Sequence, residues 1–320
     1  MAEDFDRGGS PLYARLAREH ADDPLLAELA GEHRPRWEVP LRLFAAVHLL
    51  ALSGRVDDPW RRFGDVLREH REELGRFVAE QPVQTNEVQR SWALTPAFLA
   101  VRGDRPLHLL ELGPSAGLNL YWDRYRYLYG DASWGRDDAP ITLKGEAQGG
   151  PPAALLGRDV EVSARTGIDR SPLDVTSDAD ALLLQSFVWA DQEERLERLR
   201  RAIEVVRQDP PRLVRGDYVQ ELPRLLAERP ADGLTVVYHS ASTAYLPREE
   251  RRRLQESLEA AGAAAPLAWI SYEFAETEGE PEVGYDTFAL DLRVWPGGRP
   301  RRLARLDGHA NRLRWLDHAL

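Results

Sequence analysis

Residues Leu109 to Leu120 read LLELGPSAGLNL and place an acid, two glycines and a serine at the end of an apolar run. Two chemistries fit. Gly113-Pro114-Ser115-Ala116-Gly117 has the G-x-S-x-G spacing of the elbow that presents a nucleophilic serine at a strand-to-helix turn. With Ser115 as nucleophile, Asp286 or Asp291 is the acid and His309 in LDGHANRL the base. Alternatively, Glu111 followed by Gly113 and Gly117 fits the acidic strand end and glycine loop that hold a nucleotide-type cofactor. Glycine permits positive φ and lets the backbone approach a ligand closely. In that reading Ser115 and Asn119 belong to the cradle. A second strand ends in Asp169, which accepts from ribose hydroxyls, and a third leads to Asp217 at the adenine edge. A fourth ends in Tyr238-His239-Ser240. There His239, with Tyr245 close in sequence, is the candidate to take a proton from a hydroxyl or amine nucleophile.

Each assignment has a structural alternative. The glycine turn also suits a plain strand–turn–helix junction. Asp169 and Asp217 also suit helix N-caps, Asp217 ahead of YVQELPRLL in particular. The serine reading places its elbow after the first strand, with only helices upstream. It therefore lacks an earlier oxyanion-hole loop, usually the largest catalytic contribution. A non-catalytic module that binds a nucleotide-type ligand is a third reading.

QTNEVQR, from Gln84 to Arg90, is dense in polar groups next to an apolar run. Read as a helix start, it puts Asn86 and Arg90 one turn apart on one face. Gln84, Asn86, Glu87 and Arg90 then line the substrate side of the cleft. A capping box around Thr85 is the alternative.

The elements that must position these groups follow from periodicity. The 320 residues suggest two domains. Residues 1–103 show helical spacing only: SPLYARLAREHADDPLLAELAGE with Ser10 as cap, VPLRLFAAVHLLALSG, DPWRRFGDVLREHREELGRFVAE with Asp58 as cap, and TNEVQRSWALTPAFLAV kinked near Pro96. Residues 104–320 alternate strands with helices. Strands are expected at LHLLEL, VEVSARTGID, PRLVRGD, LTVVYHS, APLAWISYE, DTFALDLRVW and RRLARLDG. Helices are expected over 178–207, 218–229 and 247–261. The pattern predicts an α/β fold with a mostly parallel sheet and a C-terminal antiparallel hairpin turned by PGGRP. Residues 123–146 read as an inserted hairpin whose rings, Tyr125, Tyr127 and Trp134 among them, form either a lid or a staple.

Composition narrows the classes. A net charge of −11 disfavours bulk nucleic-acid binding. Lys144 is the single lysine, and cysteine is absent, which removes disulfides, thiolate metal sites and cysteine nucleophiles. The scattered histidines show no metal-ligand spacing, so a metal-independent reaction on a small molecule is expected. The longest apolar stretch, LFAAVHLLAL, is short for a membrane span, and no signal peptide is visible, so a cytoplasmic location is the default.

This order of strands and strand-end acids resembles class I S-adenosylmethionine-dependent methyltransferases. QTNEVQR, LLELGPSAGLNL, DRYRYLYG, GIDRSPLDVT, LVRGD and VVYHSASTAYLP together resemble the bacterial family known as domain of unknown function 2332, over nearly the whole chain. The resemblance implies a Rossmann-like fold of methyltransferase type with S-adenosylmethionine as cofactor. It implies no acceptor. The Asn/Asp-Pro-Pro-aromatic signature of amine methylation is missing after the fourth strand, which argues against a nucleic-acid base as substrate.

Overall fold

The computed structural model describes residues 2–31, 33–101, 105–275 and 287–317. In chain order the helices are α1 (Ala2–Arg7), α2 (Pro11–Glu19), α3 (Pro24–Ala30), α4 (Glu38–Leu52), α5 (Phe63–Glu69), α6 (Arg71–Glu80), α7 (Arg90–Ala100), α8 (Ala153–Leu156), α9 (Asp178–Ser186), α10 (Glu193–Arg207), α11 (Tyr218–Ala227) and α12 (Arg248–Ala264). The strands are β1 (Leu107–Leu112), β2 (Arg126–Tyr129), β3 (Ala132–Trp134), β4 (Thr142–Lys144), β5 (Glu146–Gln148), β6 (Val162–Asp169), β7 (Arg212–Arg215), β8 (Leu234–Ser240), β9 (Leu267–Phe274), β10 (Phe288–Trp295), β11 (Arg301–Leu306) and β12 (Arg312–Trp315).

The chain divides into two compact units, 1–85 with 173–203 and 86–172 with 204–320. This differs from a boundary at residue 103. Helix α7 belongs with the strands, and α9 with most of α10 belongs with the N-terminal helices.

The first unit is helical. Pro11 opens α2 and the Ser10 hydroxyl accepts from the Tyr13 amide at 3.2 Å, the expected cap. Asp23 caps α3 in the same way through the Leu25 amide at 2.9 Å. Phe5, Tyr13, Leu16, Phe44, Phe63 and Leu67 form its core, with Tyr13 stacked on Phe44 at 4.1 Å. Asp58 is not a cap. Its φ of +45° is left-handed, whereas an N-cap needs extended backbone, and the helix starts only at Phe63.

The second unit holds a nine-stranded sheet in the order β5-β12-β11-β10-β9-β8-β1-β6-β7. Strands β7, β6, β1, β8 and β9 run parallel, and β10, β11 and β12 continue antiparallel. The expected C-terminal hairpin is therefore present as β10–β11, extended by β12. The parallel strand order reverses between β1 and β8, because β6 and β7 add on one side of β1 and β8 and β9 on the other. One sheet face packs Leu110, Leu112, Val237 and Ile168 against Leu222, Leu226, Leu254 and Leu258 of α11 and α12. Each fully buried leucine of this kind contributes roughly 2 kcal/mol.

The 123–146 segment is a staple. Strands β3, β2 and β4 form a small sheet of their own, and β5 continues into the large one. Tyr125, Tyr127 and Tyr129 are buried, and their hydroxyls donate to the carbonyls of Leu118, Trp122 and Trp92. Trp122 stacks between Phe98 at 4.6 Å and Trp134 at 5.2 Å. Rings anchored in this way at both ends do not form a lid.

Candidate functional site

The strand order reverses between β1 and β8, and the carboxyl ends at such a reversal are where open α/β sheets bind ligands. Around it gather three of the four non-glycine residues with left-handed backbone among the described residues: Ser115 at φ +55°, Ala241 at +52° and Ala310 at +58°. Such conformations cost about 1–3 kcal/mol each and cluster at functional sites.

After β1 the chain makes a β-turn from Pro114 to Gly117, closed by Gly117 N–H to Pro114 O at 2.9 Å. Ser115 occupies the position that requires positive φ, a place suited to glycine. Asp169, at the end of β6, fixes it there. One carboxylate oxygen accepts from the Ser115 amide and the other from the Ser171 amide, both at 2.8 Å. Gly113 and Gly117 have φ of +73° and +77°. A Cβ on Gly113 would stand 2.9 Å from the Ser242 Cβ, so glycine is demanded by the fold itself at this point. Replacing it disturbs more than a ligand cradle.

No α-helix follows the turn. Asn86 Oδ1 captures the Leu118 amide at 3.0 Å, and Asn119 is held by Ser91 Oγ at 2.7 Å and the Glu87 carbonyl at 3.3 Å. The chain settles into a 3₁₀ turn, Leu118–Arg124, with Tyr121 non-helical inside it. The strand–turn–helix context shared by both readings of LLELGPSAGLNL is thus only half met.

The QTNEVQR segment is not a helix start either, since α7 begins at Arg90. From Asn86 onward it is a bracket. Gln89 donates to the Lys144 carbonyl at 2.9 Å and the Ala310 carbonyl at 3.1 Å. Arg90 donates to the Gly308 and Ser240 carbonyls, both at 3.1 Å, and its guanidinium lies 5.9 Å from the Tyr272 ring centre. Glu87 accepts from the Gln89 amide at 3.1 Å and lies 3.6 Å from His309 Nδ1. These residues position the loops after β1, β8 and β11. Gln84 is buried within the other unit.

Two carboxyls at the edge are driven apart. Glu111, 2% exposed, accepts from the Tyr238 hydroxyl at 2.9 Å. Burial pushes its pKa up to about 8, with the Asp169 charge adding to the shift, so it carries a proton at neutral pH. Glu273, at the end of β9, is also buried, yet its carboxyl lies below the usual range. The cost of burial is outweighed by donors from His239 Nδ1 at 2.8 Å and from the Thr243 and Ser242 amides, each at 2.9 Å. All three donate to Oε1, and the buried Oε2 has no hydrogen-bond partner among the described residues.

This geometry corrects the assignment of His239 as general base. The ring is 1% exposed. The Trp269 indole, which can only donate, bonds to Nε2 at 3.0 Å, which assigns the proton to Nδ1 and directs it at Glu273. No lone pair remains to take a proton from a substrate. His239 positions Glu273. Glu273 was legible as the strand-end acid of APLAWISYE, by the rule that picks out Asp169. Tyr245 lies in a short 3₁₀ turn, Thr243–Tyr245, after β8.

Asp217 Oδ1 caps α11 through the Val219 amide at 2.9 Å, and Oδ2 pairs with Arg170 at 2.6 Å. The carboxylates of Asp169 and Asp217 each keep lone pairs beyond those used. Of the hydrolase set, Asp291 is bound to Arg302 across β10 and β11, at 2.5 and 3.0 Å, and His309 stands beside Glu87. Asp286 lies outside the described residues. Among those residues, no group of three or more His, Asp or Glu could hold a metal ion, and no helix is long and apolar enough to cross a membrane.

The family model described as an uncharacterized protein conserved in bacteria, DUF2332, matches residues 1–315, and the chain belongs to that family. No curated protein matches it in sequence.

Proposed function

We propose that this member of the DUF2332 family binds S-adenosylmethionine at the carboxyl edge of β1, β6 and β7 and transfers its methyl group to a small molecule. The fold on this reading is Rossmann-like, of methyltransferase type. The observation that carries it is the arrangement at the point of strand reversal: a left-handed 113–117 turn, clamped by Asp169, beside a second carboxylate at Asp217. Asp169 is partly exposed and spends one lone pair per oxygen on backbone amides, so ribose hydroxyls have acceptors in a preformed position. Asp217, the N-cap of α11 two residues past β7, stands next to it for the adenine end. When bound, the cofactor supplies an electrophilic methyl group on a sulfonium centre. The chain's own part is positional. Glu111, protonated and buried with Tyr238, adds no negative charge beneath the turn. Glu273, held ionised by His239 and two amides, fixes the loop after β8.

The left-handed Ser115 also favours a second reading, a strained serine elbow. One pair of measurements separates them. S-adenosylhomocysteine at a hundredfold over its Kd should stabilise the protein by about 2.7 kcal/mol, seen as a raised Tm. A fluorophosphonate should leave the intact mass unchanged. A stoichiometric adduct that disappears in Ser115→Ala, with no thermal shift from the cofactor, overturns the proposal in favour of the hydrolase.

A further inference from the structure

At the amino-terminal edge of the same sheet lies a cleft of about 660 Å³, between the starts of β8 and β9 and the last turns of α11 and α12. Small-molecule sites fall in this size range. Its walls are mostly apolar, with Leu226 and Ala227 of α11, Ala261 of α12 and Pro266 ahead of β9. Two polar groups in it are incompletely paired among the described residues. Thr235, 5% exposed, lines the floor, and its hydroxyl has no hydrogen-bond partner among the described residues. Arg229 on the wall donates one nitrogen to the Ala261 carbonyl at 2.9 Å and, weakly, to that of Ala265 at 3.5 Å. It has no carboxylate partner among the described residues, and burial alone lowers its pKa. Arg105 lines the same cleft without an ion pair among those residues.

Arg229 is held by helix-end carbonyls on one nitrogen and keeps further N–H donors for a ligand, and a buried hydroxyl without a partner leaves a bond unmade. The nearby acids are engaged elsewhere. Asp232 lies 3.5 Å from His108, and Glu228 is paired with Arg224 at 3.0 Å. The carbonyl ends of α11 and α12 also converge on this edge. Their partial negative charge disfavours a compact multivalent anion such as phosphate, whereas a single carboxylate bound to the guanidinium is tolerated. We infer that this cleft is a second ligand site, one that takes an amphipathic monocarboxylate, with its chain on the alanine and leucine wall and its head on Arg229 and Thr235. The site is separate from the proposed cofactor edge and does not depend on it.

Titration calorimetry of the full chain with octanoate tests this. One octanoate should bind per chain. Arg229→Gln, which can keep the bond to Ala261, should weaken binding at least about tenfold, or 1.4 kcal/mol. Thr235→Val should weaken it by about threefold, or roughly 0.65 kcal/mol. Ala260→Phe, which fills the cleft from an exposed helix position, should abolish binding while the Tm stays unchanged. Octanol binding as tightly as octanoate, or inorganic phosphate doing so, overturns the ligand class. Binding that survives Ala260→Phe, or no binding of octanoate at millimolar concentration, overturns the site.

Discussion

The two ends of the parallel sheet handle their polar groups in opposite ways. At the carboxyl edge nearly every polar side chain is spent on the protein itself. Asp169 holds two amides, Arg90 holds two carbonyls and His239 is fixed from both sides, while Glu273 Oε2 and His309 Nδ1 have no hydrogen-bond partner among the described residues. At the amino edge Thr235 and His108 each bury a polar atom without a partner among the described residues, and Arg229 has no acid among them. A cross-bonded network fixes geometry in advance of a ligand. Orphaned groups register as a cost that a ligand can remove. The same kind of substitution should therefore have opposite signs at the two edges.

The largest effect is expected at the clamp on the glycine turn. Asp169→Ala leaves the Ser115 and Ser171 amides without their charged acceptor and releases a left-handed turn. Loss of about 2–3 kcal/mol in urea unfolding is expected. A change within 0.5 kcal/mol, the range of an ordinary surface substitution, would show that the clamp is not what holds the turn.

Glu111 gives an effect of another kind, one that depends on pH. Its folded pKa of about 8 stands above its ordinary value of 4.5. The native state thus keeps a proton that the unfolded chain gives up. This contribution is complete below pH 4.5 and is lost as pH rises towards 8. Glu111→Gln, which mimics the protonated form, should flatten the stability profile across that window and gain on the wild type toward its upper end. Parallel wild-type and variant profiles from pH 5 to 8 would contradict the assignment.

At the amino edge the sign reverses. Thr235→Val removes a buried hydroxyl that bonds to nothing, so the unliganded protein should gain up to about 1 kcal/mol. A loss of that size would mean that the hydroxyl is satisfied and that the two edges do not differ.

Ser115→Gly is the smallest and sharpest probe. Glycine adopts φ +55° without strain, though it also loosens the unfolded chain and loses the hydroxyl. A net gain of about 0.5 kcal/mol with cofactor binding intact is expected. Loss of all ligand binding in this variant would return Ser115 to a direct chemical role.

The parallel strands, their order of appearance and the acids at their ends were readable because alternation and apolar runs are local signals. Ser10-Pro11 announced its helix for the same reason. The bracket from Asn86 to Arg90 was not readable. Its side chains act on carbonyls and amides far away in sequence, such as Ser240, Gly308 and Ala310, and a capture of that kind has no local period. The 3₁₀ turn after Gly117 was equally hidden, since the side chains that hold Leu118 and Asn119, Asn86 and Ser91, lie about thirty residues away. His239 was readable as a strand-end imidazole, but its partners Trp269 and Glu273 lie on the next strand, and they turn a candidate base into a positioning group. Strand β12 escaped because RLRW is too short to show alternation.

On the proposed function, the clamped turn after β1 and the acids Asp169 and Asp217 form a preorganised seat for S-adenosylmethionine. Isothermal titration of the intact chain with S-adenosylhomocysteine tests it most directly. The account predicts one site per chain, weakened at least about tenfold, or 1.4 kcal/mol, in Asp169→Ala and retained in Ser115→Gly and Thr235→Val. No heat and no competition with S-adenosylmethionine at millimolar ligand, from wild-type protein with an intact melting transition, would contradict it.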